Sequence, residues 1–197
     1  MRMRRKKNGA ARLAACADLL LARPEEPMTS SREAFGKEGE IFLEIGAGKG
    51  GFACGTAKEN PDAFFYAMER ISDCVVLAAE QAKARADERP DNLRFLIDGA
   101  DNLPAWFAPG SVSRVYLNFS DPWHKKGYRK RRLTYRRYLV MYFTLLRDGG
   151  TLRFKTDNVP LFDFSLGEIA SLGLTPTFVT RDLHASPYAE GNVMTEY

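Results

Sequence analysis

The sequence has few of the residues from which metal sites and disulfide frameworks are built. Its 197 residues include only three cysteines and two histidines. Cys16, Cys54 and Cys74 are far apart and form no C-x-x-C pair, so the pattern indicates neither a zinc site nor a set of disulfides. We therefore predict buried, reduced thiols and no bound metal.

Long apolar stretches are also missing. No run of about 18 uncharged apolar residues occurs, which excludes an ordinary membrane-spanning helix. The first seven residues lack the apolar core of a signal peptide. These absences predict a cytoplasmic protein with no membrane partner. The length and the 45% hydrophobic content favour one folded domain with a core of ordinary size.

Acidic residues are absent from two strongly basic segments. Residues 1–7 carry five basic side chains and residues 124–137 carry eight, which leaves 16 basic and 25 acidic side chains elsewhere. Basic charge gathered on an otherwise acidic protein is typical of nucleic-acid binding; the alternative is a solvated basic surface. For residues 1–7 we favour a solvated tail. For residues 124–137 we favour RNA binding, because tyrosines that can stack on bases lie among the charges.

Strand-like and helix-like segments alternate along most of the chain. The predicted strands are 41–45, 64–68, 93–97, 112–119, 151–155 and 175–180, and the predicted helices are 51–58, 72–86, 133–146 and 161–172. Residues 1–39 are predicted to be a basic leader with a helix near residues 10–21 and a connector rich in proline and serine. Repeated strand–helix units indicate an α/β fold whose mostly parallel sheet has helices on both faces.

Residues 44–51 connect the first predicted strand to the first predicted helix. Gly46 and Gly48 permit a tight turn and close approach of a ligand to the backbone. Glu69 ends the second predicted strand, where a carboxylate can accept hydrogen bonds from ribose; the alternative is an ordinary surface acid. The turn lacks the third glycine of a dinucleotide motif and begins with Glu44, which would repel a pyrophosphate. We therefore predict S-adenosylmethionine, a cofactor with cationic groups and no phosphate.

A second segment places an acidic turn directly before the basic stretch. Residues 112–119 predict a buried strand, so Asp121 is expected at its carboxyl end, where open α/β sheets bind ligands. Pro122 ends the strand, and Asp121 before it has the alternative role of a turn former. The order of these residues predicts a reaction centre beside a surface that binds a polyanion.

Five motifs in the chain resemble those of the bacterial tRNA (guanine-N7-)-methyltransferase family. They are LEIGAGKG at 43–50, YLNFSDPW at 116–123, KRRL at 130–133, KTDN at 155–158 and GNVMTEY at 191–197. The resemblance covers residues 41–197 and implies a Rossmann-like sheet that uses S-adenosylmethionine, with residues 40–197 as the methyltransferase domain. It also implies methyl transfer to N7 of a guanine in tRNA, in the variable loop.

The resemblance further implies which residues form the site. Asp121 is the implied catalytic residue, and tRNA is the implied partner of a monomer or a homodimer. Cofactor contacts are implied at Glu44, Gly46, Gly48, Glu69, Gly99, Ala100 and Asp121. Substrate contacts are implied at Lys125, Gly127, Tyr128, Arg129, Lys130, Arg131, Arg132, Asp157, Thr195 and Glu196.

Two features depart from the family pattern. After the third predicted strand the chain has Asp98-Gly99-Ala100, where many relatives have Asp-Ala or Asn-Ala. We expect a backbone amide, rather than the Asp98 side chain, to meet the adenine there. Relatives also continue past the equivalent of Tyr197, so we expect the final strand to be missing and the edge of the fifth strand to be open or paired with another molecule.

The implied reaction needs no general base, because guanine N7 has a lone pair and no proton at neutral pH. Asp121 and Asp157 are predicted to stabilise the positive charge that moves from sulfur to the purine. Asp157 or Glu196 is expected to accept hydrogen bonds from the guanine; the alternative for Asp157 is helix capping. A methyltransferase for small molecules or proteins would leave the basic segment without a purpose. A non-catalytic RNA-binding module is opposed by the intact cofactor turn.

Overall fold

The computed structural model describes residues 6–84 and 90–195 of the chain. The strands are β1 (Glu40–Ile45), β2 (Ala63–Glu69), β3 (Leu93–Ile97), β4 (Val112–Asn118) and β5 (Leu146–Lys155). The α-helices are α1 (Gly9–Ala14), α2 (Arg32–Phe35), α3 (Gly51–Glu59), α4 (Ser72–Ala84), α5 (Arg136–Leu145) and α6 (Val159–Ser171), and 3₁₀ helices cover Ala17–Leu19, Ala100–Ala105 and Lys126–Arg131.

The five described strands form one parallel sheet in the order β3-β2-β1-β4-β5. Successive strands move outward from β1 through β2 to β3, and the chain then returns to the other side of β1 for β4 and β5. The order therefore reverses between β1 and β4. Open α/β sheets bind ligands outside the carboxyl ends of the strands at such a reversal.

The core occupies both faces of the sheet. Leu43 on one face packs with Tyr66, Leu139 and other residues beneath α5, whereas Phe42 on the other face packs with Phe52 and the residues of α3 and α4. Adjacent residues of β1 thus point to opposite faces, and both are almost completely buried. This explains why β1 and β2 have mostly apolar sequences, and the parallel sheet with helices on both faces confirms the predicted α/β fold.

The predicted leader is tied to the sheet. The backbone N–H of Leu21 donates to the carbonyl of Phe95 in β3 at 3.1 Å, and Met28 pairs with Phe107 in an isolated parallel bridge. Met28 is also buried in the core. Residues 6–39 therefore pack against the domain. The domain boundary at residue 39 remains a prediction.

Two sequence predictions about secondary structure were wrong. Residues 175–180 form no strand, and Phe178 and Val179 are exposed. β5 forms the edge of the described sheet, so residues 175–180 do not pair with it as a further strand. Pro176 also lacks the backbone N–H that a strand residue would donate. The predicted helix at residues 10–21 is interrupted after Ala14 and continues only as a 3₁₀ turn.

The remaining helices and strands match their predictions within a few residues, except that β5 begins earlier, at Leu146. The three cysteines are buried thiols, as predicted. Within the part of the chain that the structure describes, no helix is long and apolar enough to cross a membrane.

Candidate active site

The glycine turn after β1 is held in place by backbone hydrogen bonds from the neighbouring strand. The N–H groups of Gly46 and Ala47 donate to the carbonyl of Met68 in β2 at 2.8 and 3.1 Å. Gly46 and Gly48 have φ angles of 82° and 56°, in the left-handed region that favours glycine. A Cβ atom at either position would meet nothing within 4 Å, so the turn faces open space on that side. Its shape therefore permits a ligand to approach the backbone.

Glu69 closes this turn from the end of β2. Its Oε2 accepts a hydrogen bond from the Gly48 N–H at 3.2 Å, and its Oε1 accepts one from the Ile71 N–H at 2.9 Å. The residue is only 9% exposed, so it is not the ordinary surface acid of the alternative interpretation. A carboxylate has about four acceptor sites, so two backbone donors leave capacity for ligand hydroxyls.

Glu44, at the end of β1, belongs to a buried polar group that crosses from β1 to β4. The Asn118 side-chain amide donates to Glu44 Oε1 at 2.8 Å, and both residues are buried. Burial lowers the pKa of Lys155, at the end of β5, while the charge of Glu44 partly raises it. Sequence reasoning named Glu44 but missed Asn118 and Lys155. A polar residue ending the apolar strand β4 was the signal for Asn118.

The Asp98-Gly99-Ala100 turn, where the sequence departs from the family pattern, is organised by the Asp98 carboxylate. Asp98 Oδ1 accepts hydrogen bonds from the Gly99 N–H and the Asn102 side chain, and Oδ2 accepts them from Trp106 Nε1 and Arg23. Burial acts to raise the pKa of Asp98, but these four donors outweigh it and lower the pKa to about 2. The carboxylate is thus occupied by protein groups. It shapes the turn that presents Gly99 and the buried Ala100.

The turn after β4 carries Asp121 in a strained backbone. Phe119 and Trp123 have φ angles of 48° and 43°, although neither is glycine. Such conformations cost on the order of 1–3 kcal/mol each and persist where the surrounding structure enforces them. Asp121 is exposed, and its Oδ1 accepts a hydrogen bond from the Trp123 N–H at 3.3 Å. Asp121 is therefore a turn former, and its carboxylate also faces solvent beside the reversal point of the sheet.

The basic segment next to this turn forms an exposed 3₁₀ helix. Arg131 contacts two aromatic rings, with its guanidinium carbon 5.0 Å from the centre of Trp123 and 4.7 Å from that of Tyr128. Arg70, directly after Glu69, approaches the same tryptophan at 6.0 Å. The exposed members of the predicted substrate surface are Lys125, Gly127, Tyr128, Arg129, Lys130 and Arg131. Cations and aromatic rings thus lie together on the side of the Asp121 turn.

Arg132 differs from its neighbours, because it is only 8% exposed. Its Nε donates to the carbonyl of Pro122 at 2.8 Å, and a terminal nitrogen donates to the carbonyl of Trp123 at 3.3 Å. Its guanidinium also lies 4.3 Å from the ring centre of Phe164 in α6. The structure therefore places this predicted substrate contact under the turn and not on the exposed surface.

In the motif after β5, the helix cap and the candidate substrate contact are two different residues. Asn158 is the N-cap of α6, with its side-chain oxygen accepting a hydrogen bond from the Leu161 N–H at 2.9 Å. Asp157 precedes the cap, and its side chain is exposed. The alternative of a helix cap thus applies to Asn158. Asp157 remains a candidate for substrate contact.

The segment that carries Thr195 is anchored to the end of β5 and to α3, the helix that follows the glycine turn. Lys155 Nζ donates to the Asn192 side chain and, at 3.4 Å, to the Val193 carbonyl. Val193 packs against α3 so closely that a Cβ atom at Gly55 would lie 2.7 Å from its Cγ1. Thr195 is half-buried. Glu196, the other predicted substrate contact here, lies outside the described residues.

Taken together, the ends of β1, β2 and β4 bring Glu44, Glu69 and Asp121 to the reversal point, and the end of β5 contributes Lys155 and Asp157. Across residues 6–84 and 90–195, no group of three or more histidine, cysteine, aspartate or glutamate side chains has an arrangement that could hold a metal ion. The buried amide oxygen of Asn118 and the hydroxyl of Ser120 have no hydrogen-bond partner among the described residues. These polar atoms and the open glycine turn fit a polar organic cofactor, and the acids favour a cationic one.

Comparisons with known proteins identify the family. Residues 38–197 match a family model described as putative methyltransferase. The tRNA (guanine-N(7)-)-methyltransferase of Bacillus subtilis (strain 168) is 43% identical over all 197 residues, which cover 91% of that protein.

Solved structures agree at the level of the fold. An antibiotic-related methyltransferase has a TM-score of 0.55 at 15% identity, with 78% of this chain and 80% of that chain covered. The aminoglycoside resistance methyltransferase NpmB1 has a TM-score of 0.50 at 23% identity, with 71% of this chain and 65% of that chain covered. From its motifs, its fold and its identity over the full length to a curated member, we conclude that the chain belongs to the tRNA (guanine-N7-)-methyltransferase family.

Proposed function

We propose that this protein transfers a methyl group from S-adenosylmethionine to N7 of a guanine in tRNA. The observation that carries the proposal is the juxtaposition at the sheet reversal. There the acidic glycine turn after β1 lies beside the Asp121 turn after β4, which runs directly into an exposed surface of cations and aromatic rings. The protein is thus an enzyme with S-adenosylmethionine as its cofactor, and its place of action is the cytoplasm.

The cofactor is assigned to the open side of the glycine turn. S-adenosylmethionine supplies an electrophilic methyl group on a positively charged sulfur. Glu69 is placed to accept hydrogen bonds from its ribose, and the Gly99–Ala100 backbone to meet its adenine. Gly46 and Gly48 leave room for close approach, and Glu44 supplies negative charge that suits a cationic ligand.

The residues of the site act by positioning and electrostatics, because the guanine nitrogen needs no deprotonation. Holding reactants in a near-attack geometry contributes about 7–11 kcal/mol in the best intramolecular models. Asp121 and Asp157 provide carboxylates that stabilise the positive charge appearing on the purine. Asp157 also offers two acceptor oxygens for the N1–H and N2–H₂ edge, which leaves N7 free to face the methyl group.

The tRNA is assigned to the exposed side of the basic segment. Lys125, Arg129, Lys130 and Arg131 are positioned for phosphate contacts, and Tyr128 for stacking on a base. Thr195 and Glu196 complete the substrate contacts in this proposal. The target guanine is assigned to the variable loop, and the protein is proposed to act as a monomer or a homodimer.

Mass spectrometry of tRNA nucleosides tests the function directly. The protein is incubated with unmodified tRNA and cofactor carrying a trideuterated methyl group, and the tRNA is then digested to nucleosides. We expect the label in 7-methylguanosine and its loss in an Asp121→Asn control. Analysis of larger nuclease fragments then locates the labelled guanine. Label in another nucleoside, or label that reaches only a protein or small molecule, would contradict the proposal.

Binding of tRNA provides a separate test of the basic surface. Replacing Arg129, Lys130 and Arg131 together by methionine should weaken tRNA binding strongly at a stated salt concentration and leave cofactor affinity unchanged. Normal tRNA binding by this variant would show that these residues form a solvated surface with no role in recognition.

A further inference from the structure

Four cationic residues follow one another at positions 129–132, yet only three of them are exposed. Arg129, Lys130 and Arg131 lie on the surface, whereas Arg132 is 8% exposed. A buried guanidinium cannot neutralise a phosphate without leaving its present partners. The last residue of the run must therefore have a different task from the first three.

The partners of Arg132 identify that task. Its guanidinium donates hydrogen bonds to two backbone carbonyls of the turn that carries Asp121, those of Pro122 and Trp123. At the other end of the same turn, the Phe119 N–H donates to the Lys155 carbonyl of β5 at 2.9 Å. The turn is thus fixed to β5 at its start and to Arg132 at its end, with Asp121 between these points.

The backbone of the turn requires such support. Phe119 and Trp123, the residues flanking the turn, both have positive φ angles, which residues with a side chain adopt only where the surroundings enforce them. Asp121 itself is exposed, and its Oδ1 accepts a hydrogen bond from the Trp123 N–H inside the same turn. The direction of its carboxylate therefore depends on the shape of this backbone.

Arg132 also connects the turn to α6. Its guanidinium stacks on Phe164, and nearby the Ser165 hydroxyl donates to Thr134 Oγ1 at 2.7 Å. Arg136 continues the contact through its ion pair with Glu168. Since Asp157 directly precedes Asn158, the N-cap of α6, these contacts fix the two candidate carboxylates relative to each other.

We propose that Arg132 is a positioning residue for methyl transfer: it holds the Asp121 turn against α6 and does not contact tRNA. The inference rests on the proposed function for its kinetic readout. It depends on burial, on two hydrogen bonds and on one ring contact, all within the described chain.

The test compares Arg132→Met with Lys130→Met, a loss of one positive charge at an exposed position two residues away. Lys130→Met should make the log–log salt dependence of tRNA binding shallower by about 0.7–0.9, as expected for one lost phosphate contact. Arg132→Met should leave that slope unchanged. At saturating tRNA, Arg132→Met should lower kcat about tenfold to 100-fold, because small displacements of a reacting geometry have effects of this size. Its KM for tRNA and its cofactor affinity should stay within about twofold of the wild type.

Hydrogen exchange of residues 119–123 provides a readout independent of activity. It should become faster in Arg132→Met and stay unchanged in Lys130→Met. Should Arg132→Met fail to fold, Arg132→Lys keeps the charge but supplies a single donor group, and it should show an intermediate kcat with the wild-type salt slope. A shallower slope with unchanged kcat in either variant would overturn the proposal. Failure of the wild-type protein to methylate tRNA would instead contradict the proposed function, and the hydrogen-exchange and binding results would still decide the role of Arg132.

Discussion

Asp157 and Asn158 are adjacent residues for which the structure predicts opposite consequences of mutation. Asn158 caps α6 through its contact with the Leu161 N–H, whereas the Asp157 side chain is exposed at the end of β5. Loss of the cap should reduce stability, and loss of the Asp157 charge should reduce methyl transfer. Mutations at these two adjacent positions therefore test stability and methyl transfer separately.

The magnitudes follow from these environments. Asn158→Ala removes a side-chain cap, which costs about 1 kcal/mol of stability and lowers Tm by about 2–4 °C for a protein of this size. Asp157→Asn changes an exposed side chain and should alter stability by less than about 0.5 kcal/mol. If Asp157 accepts hydrogen bonds from a guanine that becomes cationic, its loss should cost about 1.5–3 kcal/mol. That corresponds to about a tenfold to 150-fold decrease in kcat/KM.

The assay combines thermal unfolding with initial rates of label transfer to tRNA at 25 °C. Asn158→Ser is the matched control, because serine also caps helices and should preserve both stability and rate. Cofactor affinity should be unchanged in all three variants. Equal turnover of Asp157→Asn and wild type would refute the substrate role of Asp157. A loss of stability in Asp157→Asn equal to that in Asn158→Ala would show that Asp157 shares the capping role.

Three further variants test other parts of the site. Asp98→Asn removes a carboxylate whose pKa is lowered to about 2, so its stabilisation is present above about pH 4 and is lost as the pH falls through about 2. Urea unfolding should show the variant less stable by about 2 kcal/mol at neutral pH, with the difference shrinking toward acid; a difference independent of pH would contradict this account. Glu69→Ala should weaken cofactor binding in calorimetry by at least about 1.5 kcal/mol, while Arg70→Ala leaves it unchanged; unchanged affinity in Glu69→Ala would remove the ribose assignment. Gly55→Ala should stabilise α3 by about 1 kcal/mol through helix propensity, but its new Cβ should displace Val193. We therefore expect faster hydrogen exchange at residues 191–195 and lower turnover, without a decrease in Tm. Normal turnover would mean that the position of this segment is unimportant.

The fold was predictable where the sequence contains both the strand and the reason for its burial. β1 to β4 are mostly apolar runs bounded by turn residues, and each was predicted within about two residues of its observed bounds. Residues 175–180 have the same β-forming composition but no neighbouring strand among the described residues. Strand formation depends on pairing, and a local pattern does not reveal whether a partner is present.

The arrangement of the candidate site was predictable where a single motif contains both a strand and the polar or glycine residues at its end. The glycine turn, Glu69 and Asp121 each follow a strand, so their common edge followed from the parallel sheet. The partnership of Lys155 with Asn192 and that of Asn118 with Glu44 were missed. They join residues 37 and 74 positions apart, and no local spacing encodes such contacts.

The charge count illustrates the same limit and leads to a final prediction. Three of the eight cations in residues 124–137 are paired with a carboxylate or buried. Arg136 pairs with Glu168, Arg137 pairs with Asp101, and Arg132 is buried. A cation already compensated by a carboxylate adds little to phosphate neutralisation. Replacing Arg136 and Arg137 together by glutamine should therefore leave the log–log salt slope of tRNA binding nearly unchanged, whereas methionine at the three exposed positions 129–131 should make it shallower by about 2–3. Equal changes in the two variants would mean that RNA binding depends on the total charge of the segment, and that the ion pairs open when tRNA binds. Unequal changes in the expected direction would mean that the fold selects which cations of a continuous basic sequence reach the RNA.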